Sequence, residues 1–321
     1  MNEQKAHKIV LIGAGAVGTS FLYAAINRSI ASHYEIIDVS QDIAKGNALD
    51  LEDAIATNNS SFSVELGSYK KCKDADVIVI TAGKPQKSEQ NRLDLMKSNV
   101  KIMKDIAINI KKSGFNGITI IASNPVDVLT AVYQKVTDFD KNKVIGSGTL
   151  LDSARLRFEI GKRINISARS IDAYVIGEHG DSSVSVFSSA AVKGIPLATF
   201  AKKFKFTEQE MQKIHETVYK KAYEIIKLKR ATFYGIGSAL ADLSYSVLNN
   251  SLEIKAVSAY LNGEYGKSGI YAGMPAIIGE NGIIKVIEAK LSSNEKDRFA
   301  KSANLIKKSL KEVLKEIGYE S

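Results

Sequence analysis

The chain of 321 residues contains one cysteine, Cys72, no tryptophan, four prolines and four histidines. A lone cysteine cannot close an internal disulfide, and a reducing compartment is expected. Four scattered histidines and one cysteine offer no metal-ligand spacing of a recognised type, so no metal is expected. No apolar run approaches the roughly 18 residues a membrane span needs. The run Ile9–Ile12 is too short for the core of a signal peptide. These absences lead to an expected cytoplasmic location. The net charge is +9, yet the lysines are scattered from Lys5 to Lys315 with no long basic run. Such a distribution describes a solvated surface rather than a nucleic-acid or membrane face. Repeats, low-complexity tracts and Pro/Gly/Ser linkers are also missing.

What is present is a composition of 45% hydrophobic and 25% charged residues, ordinary for a globular protein. In the first half, short β-branched runs alternate with helical patterns. Strands are predicted at Lys8–Ile12, Tyr34–Asp38, Val77–Ala82, Ile118–Ser123 and Val144–Gly146, with helices over Val17–Ile30 and Arg92–Lys112. Alternation of apolar strands with helices predicts an α/β fold of Rossmann type, a doubly wound parallel sheet covered on both faces. After Gly148 the pattern changes. Helices are predicted over Asp152–Arg163, Glu208–Arg230, Gly237–Asn249 and Asn294–Ile317. Strands are predicted over Ser170–Ile176, Ser183–Ser188, Ile254–Leu261, Gly269–Ile278 and Ile283–Glu288, the last two joined by a turn at Asn281-Gly282. The expected division is a nucleotide-binding domain, 1–147, and an α+β substrate domain, 148–321, packed directly on it.

Several segments carry chemistry. Gly13-Ala14-Gly15-Ala16-Val17-Gly18 follows the first strand and opens a helix. Glycines there permit a tight turn and close approach of backbone to a pyrophosphate, which the helix N-terminus attracts. Asp38 ends the second strand, 20 residues after Gly18. A carboxylate there can accept hydrogen bonds from an adenosine ribose, and it favours NAD over NADP by like-charge repulsion. Read alone, the glycine pattern also fits flavin and methyl-donor enzymes, and Asp38 fits a strand-end turn.

Of the histidines, His7, His33 and His215 sit in a polar tail, at a strand start and inside a charged helix, and read as structural. His179, in Glu178-His179-Gly180-Asp181, lies among glycines at a strand end, where an imidazole can be presented to a ligand and trade a proton near neutral pH. Asp152 and Arg155 stand three apart on one helix. The carboxylate can fix the tautomer of an imidazole, and the guanidinium can grip a carboxylate in a two-pronged geometry. A surface ion pair is the alternative. Gly83–Arg92 is a long polar connection suited to a closing lid, or simply a solvated loop. Asn124, in Ser123-Asn124-Pro125-Val126-Asp127, falls at the carboxyl edge of the sheet, where it can bond ligands or cap a helix.

Together these segments, with Thr81-Ala82-Gly83, Asn91–Leu95 and Gly146–Arg155, resemble the L-lactate/malate dehydrogenase family of the bacterial type, from Lys8 to about Lys315. The resemblance implies NAD/NADH as cofactor and hydride transfer to a small 2-oxo acid. It implies His179 as proton donor and acceptor, Asp152 as its partner, Arg155 on the substrate carboxylate, and Arg92 polarising the carbonyl. It further implies Thr232 in the substrate pocket, and Gly13, Gly15, Val17, Gly18, Asp38, Thr81, Ala82, Gly83, Asn99, Ser123, Asn124, Ser147 and Ile236 along the cofactor. The family divides at one lid position, here Gln86, where malate enzymes place arginine. Without a cation, oxaloacetate's second carboxylate would be buried unpaired. The resemblance therefore implies pyruvate and L-lactate, the fermentative end of glycolysis, with malate or a bulkier 2-hydroxy acid as alternatives. A noncatalytic NAD-binding protein is the rival from another class; retention of His179 and Arg155 argues against it.

Two departures are visible. Ser88-Glu89 replaces the Pro-Gly that many relatives carry in the lid. Members activated by fructose 1,6-bisphosphate pair an arginine with a histidine; here Arg157 matches the first, but Asp172 replaces the second. A carboxylate facing a sugar phosphate is unfavourable, so weak or absent activation is expected. A homotetramer is implied, with a dimer as the alternative, and without the contacts of the long N-terminal arm of vertebrate members.

Overall fold

A computed structural model of the chain describes residues 6–58, 60–84, 92–204 and 206–319. The first half runs β1 (Lys8–Ile12), α1 (Ala16–Asn27), β2 (His33–Ile37), α2 (Gln41–Glu52), β3 (Ser63–Leu66), β4 (Val77–Ile80), α3 (Arg92–Ser113), β5 (Ile118–Ile121), α4 (Val126–Thr137) and β6 (Val144–Gly146). These six strands pair in parallel in the order β3-β2-β1-β4-β5-β6. Such an order reverses direction between β1 and β4, and ligands of open α/β sheets bind in the crevice that reversal opens beyond the carboxyl ends.

The second half runs α5 (Leu150–Ile164), β7 (Ile171–Ile176), β8 (Val184–Val192), β9 (Ile195–Pro196), α6 (Leu197–Phe204), α7 (Glu208–Lys229), α8 (Tyr234–Leu248), β10 (Glu253–Asn262), β11 (Ser268–Gly279), β12 (Gly282–Val286) and α9 (Ser293–Glu316). Strands β10, β11 and β12 are antiparallel and extend the first sheet past β6, through Ser258 opposite Gly146, to nine strands. Strands β7–β9 form a separate antiparallel sheet, tied to the first by a bridge between Gly177 and Gly273. The halves thus share a sheet as well as a packed interface.

Alternate residues of the central strands feed two cores. Val10, Ile12, Ile78, Ile80 and Ile121 face the side covered by α3, α4 and α9. Ile9, Leu11, Val77, Val79 and Ile120 face the side covered by α1 and α8. A strand buried on both faces needs an unbroken apolar run, which is why these segments stand out in the sequence. A third core lies between α5, α7 and the small sheet. The stripe Phe299, Ala303, Ile306, Leu310 and Val313 of α9 is buried as its spacing predicts. That helix starts in a capping box, Ser292 with Glu295, and Glu295 also accepts the backbone N–H groups of Phe187 and Ser188, pinning α9 to β8.

The hairpin turn differs from expectation by one residue. Its two loop positions are Glu280 and Asn281, because Gly279 pairs with Gly282. Gly282, at φ +92°, closes the turn from inside the strand, where a Cβ would lie 2.1 Å from the Asn142 carbonyl. Two of the elements absent from the sequence reading have little buried apolar pattern. Strand β3 buries only Val64, and α2 buries only Ala44 and Ala48 while exposing Ile43 and Leu49.

Candidate active site

The glycine turn between β1 and α1 is shaped by contacts that exclude side chains. At Gly13, φ is +105° and a Cβ would meet the Ala82 backbone at 2.5 Å, whereas a Cβ on Gly15 would meet nothing within 4 Å. Gly15 therefore borders open space, and it caps α1 without a side-chain hydrogen bond, so the first N–H groups of the helix remain available to a ligand. Asp38, just past β2, accepts the Ala14 N–H at 2.7 Å and the Ser40 N–H at 2.9 Å, fixing its carboxylate beside the turn. The Thr81 hydroxyl donates to the Gly13 carbonyl at 2.7 Å, and that of Ser123 to the Ala82 carbonyl at 2.6 Å. Asn99, buried on α3, accepts the Lys84 N–H at 2.8 Å and donates to the Asn124 carbonyl at 2.8 Å. Three strand ends are thereby bound into one rim. An open, positively polarised cradle with a fixed carboxylate beside it fits a dinucleotide.

Across the crevice, α5 and β7 are locked edge to edge. The Thr149 hydroxyl donates to the Val175 carbonyl at 2.5 Å, and the Val175 N–H donates to Ser153 Oγ at 2.9 Å. This registration carries His179, four residues beyond Val175, to Asp152. His179 Nδ1 lies 2.6 Å from Asp152 Oδ2, and Arg155 Nη1 lies 3.2 Å from Asp152 Oδ1. With Nδ1 engaged, Nε2 is the ring nitrogen left for the cavity. The side chains of Asp152 and Arg155 are 7% and 10% exposed, so their charges act with little screening, while His179, at 29%, retains access.

Burial by itself would lower the proton affinity of His179. The charge and hydrogen bond of Asp152, with a smaller contribution from Asp127, outweigh it and raise the imidazole from 6.5 to about 9. Burial likewise favours a neutral Asp152, but His179 and then Arg155 hold it below the ordinary carboxylate range. The ring is thus kept protonated near neutral pH, in reach of a cavity of about 570 Å³. Asn124, Arg155, His179, Leu95, Tyr223 and Leu305 are among the residues that wall that cavity.

Residues 7–146 match the profile of the lactate/malate dehydrogenase NAD-binding domain, and residues 149–317 that of the family's alpha/beta C-terminal domain. The chain belongs to the lactate/malate dehydrogenase family. It is 53% identical over 312 residues to an L-lactate dehydrogenase of Mycoplasma capricolum, covering 97% of this chain and 98% of that one. It is 49% identical over 308 residues to an L-lactate dehydrogenase of Mycoplasma pneumoniae, covering 96% and 98%. Among solved structures, the ligand-bound minor L-lactate dehydrogenase of Enterococcus mundtii superposes with a TM-score of 0.94 at 41% identity, covering 96% and 98%. The lactate dehydrogenase MGS-M5 from a Medee basin deep-sea metagenome does so with 0.93 at 39%, covering 98% and 99%.

Not every expected residue of this family member falls in the cavity. Gln86 lies outside the described residues, as does the side chain of Arg92, although α3 opens at that position. Thr232 is half-buried in the connection between α7 and α8 and is not among the residues walling the cavity. Ile236 packs from α8 on the core beside α1. Ser147 is buried at the end of β6, its N–H donating to the Ile121 carbonyl at 2.7 Å. Arg157 faces a second cavity, of about 480 Å³, with Arg28, Arg169 and Asp242, whereas Asp172 is exposed on β7.

The other histidines are structural in their surroundings. His33 Nδ1 lies 2.8 Å from Ser63 Oγ, and His7 Nδ1 lies 3.5 Å from Asp76 Oδ2. His215 is buried between Ser185 Oγ, 2.9 Å away, and Arg298 Nη2, 2.5 Å away. Burial, and next the Arg298 charge, lower it to about 4. Among the described residues no group of three or more His, Cys, Asp or Glu side chains is placed to hold a metal, and no helix is long and apolar enough to cross a membrane.

Sequence reasoning passed over two residues that support the histidine segment. The Asp127 carboxylate accepts the His179 backbone N–H at 2.8 Å, and Ser302 of α9 accepts the Glu178 N–H at 2.8 Å. Asp127 had a visible signal, an acid three residues beyond Asn124 in the motif at the sheet edge; Ser302 had none.

Proposed function

We propose that this protein is an NAD-dependent L-lactate dehydrogenase that interconverts pyruvate and L-lactate. The observation that carries the reading is the imidazole of His179, held protonated by a buried carboxylate and flanked by the Arg155 guanidinium, across a crevice from a dinucleotide cradle. The turn Gly13–Gly18, Asp38 and the rim of Thr81, Asn99 and Ser123 hold the cofactor. When bound, the nicotinamide supplies the hydride to C2 of the oxo acid or accepts it back.

The protein's own part is positional and electrostatic. Arg155 grips the substrate carboxylate, which fixes the acid in one orientation and places C2 over the ring face. Protonated His179 donates from Nε2 to the C2 oxygen as negative charge develops there, a step general acid catalysis accelerates by about 10² to 10⁴-fold. The imidazole left neutral keeps its Nδ1 proton on Asp152, and in the oxidative direction its Nε2 takes the lactate hydroxyl proton while Asp152 stabilises the imidazolium that forms. Arg92, at the start of α3, polarises the carbonyl. Asn124 orients ligand groups, Thr232 contributes to the substrate pocket, and Ile236 lies on the nicotinamide side. Gln86 borders the methyl group of pyruvate. Oxaloacetate in the same place would bring a second carboxylate without a partner, at a cost of several kcal/mol.

The functional division is residues 1–147 for cofactor and 148–321 for substrate. The protein acts in the cytoplasm, in fermentative glycolysis, as a homotetramer, and fructose 1,6-bisphosphate has little or no effect because Asp172 repels it. The test is NADH oxidation measured with pyruvate and with oxaloacetate. Faster turnover per unit substrate with pyruvate is expected; a preference for oxaloacetate overturns the assignment, and tight NADH binding without turnover of any 2-oxo acid overturns the enzymatic reading.

A further inference from the structure

We propose that Asp127 is a positioning residue of this reaction, its buried carboxylate clamping the main chain at His179 and setting, with Asp152, the field at the imidazole. The inference rests on His179 being the acid–base residue. Asp127 opens the second turn-position of α4, is 3% exposed, and borders the same cavity as the ring. One oxygen accepts the His179 N–H at 2.8 Å, and the other accepts the Ser258 hydroxyl of β10 at 2.5 Å. The carboxylate therefore joins three elements, α4, β10 and the segment after β7, at the one residue whose position the chemistry needs. As the acid of the first turn of α4 it also complements the helix dipole, but that role does not call for this depth, and an uncompensated buried carboxylate is costly. It persists here with two donors and an imidazolium beside it.

Two consequences follow from the charge. Asp127 raises the proton affinity of His179, and burial in turn raises Asp127 itself from 3.8 to about 6. Asp127 is also a negative charge on the wall of a cavity that must admit an anion, so its neutralisation strengthens substrate binding while loosening the hold on the His179 proton. The other charged or titratable groups on that cavity, among the described residues, are Asp152 and Arg155 of α5, Glu178 and Asp181 beside the ring, Tyr219 and Tyr223 of α7 and Glu312 of α9. Of these, Glu178 acts on Asp127 through its charge, and none is removed by a substitution there.

Asp127→Asn removes the charge and keeps an oxygen for the His179 N–H, since Ser258 can turn its hydroxyl to accept the new amide. The expected result is a downward move of the alkaline limb of pyruvate reduction by roughly half a pH unit or more, with a lower KM for pyruvate. Asp127→Ala removes the clamp as well, and kcat should fall by about tenfold or more. In the unaltered enzyme, KM for pyruvate should decrease as pH falls through about 6. An Asp127→Asn enzyme with limb and KM unchanged refutes the proposal whatever its thermal stability. If that variant does not fold, a pyruvate KM in the unaltered enzyme that is flat across that range refutes it. His179→Asn separates the two levels: retained turnover there defeats the acid–base reading, whereas lost turnover beside an unchanged Asp127→Asn limb defeats only this proposal.

Discussion

Replacing Asp152 with Asn tests how the imidazole is kept charged. In the folded protein His179 stands at about 9 rather than 6.5, although burial opposes that shift and Asp152 drives it. A displacement of this size corresponds to at most about 3 kcal/mol of favourable interaction with the protonated ring. Without the Asp152 charge, burial, the largest influence, acts downward with Arg155 against the smaller upward pull of Asp127, and the ring should titrate at or below its ordinary value. At about pH 8 the protonated fraction would then fall from roughly 0.9 to about 0.03, a loss of about 30-fold in pyruvate reduction from protonation alone. The assay is kcat/KM for NADH oxidation by pyruvate across pH, with NADH affinity measured separately. The alkaline limb should move down by about 2.5 units or more, while NADH affinity, set across the crevice, should hardly change. An Asp152→Asn enzyme whose limb stays in place would show that some other group governs the proton. The same linkage has a stability side. Because the folded value is the higher one, protonated His179 stabilises the fold fully below 6.5, and that stabilisation is lost as pH rises through about 9.

Arg155→Lys keeps the charge but loses the planar fork, so pyruvate KM should rise about tenfold or more with stability little changed; an unaltered KM would mean that the carboxylate binds elsewhere. Gln86→Arg should move preference toward oxaloacetate, and an unchanged ratio of the two kcat/KM values would place another residue at the discriminating position. His215 should make the fold acid-sensitive. Its folded value of about 4 lies below 6.5, so the unfolded chain binds more protons between those limits and stability should fall as pH is lowered through them. The full effect is about 3 kcal/mol, read as the loss of urea midpoint on acidification that His215→Gln reduces. Fructose 1,6-bisphosphate should leave the pyruvate half-saturation point almost unchanged, and a sharp decrease on titration would contradict the role given to Asp172.

The parallel sheet was legible because doubly buried strands must be apolar throughout, as Val77–Ile80 and Ile118–Ile121 are. The cradle was legible because its turn tolerates no Cβ at Gly13 and leaves space at Gly15. His179, Asp152 and Arg155 could be singled out by residue chemistry and local spacing, but their meeting depends on the lock between Thr149, Ser153 and Val175, which spans more than twenty residues and has no local pattern. The continuation of the first sheet by β10–β12 was hidden for a similar reason. Strand pairing between Ser258 and Gly146 is a tertiary event, and both segments look alike whether they share a sheet or not. Ser302 illustrates the limit: a serine in the middle of an amphipathic helix gives no hint that its hydroxyl supports the backbone beside the His179 ring.

The central claim is that one imidazole and one guanidinium act on the two ends of the same small acid. A crystal structure of the protein with NADH and an unreactive anionic isostere of pyruvate examines this directly. The account requires the C2-equivalent oxygen at about 3 Å from His179 Nε2 and the carboxylate on both terminal nitrogens of Arg155. An isostere seated away from His179, for example among Arg28, Arg157 and Arg169 in the second cavity, would contradict it.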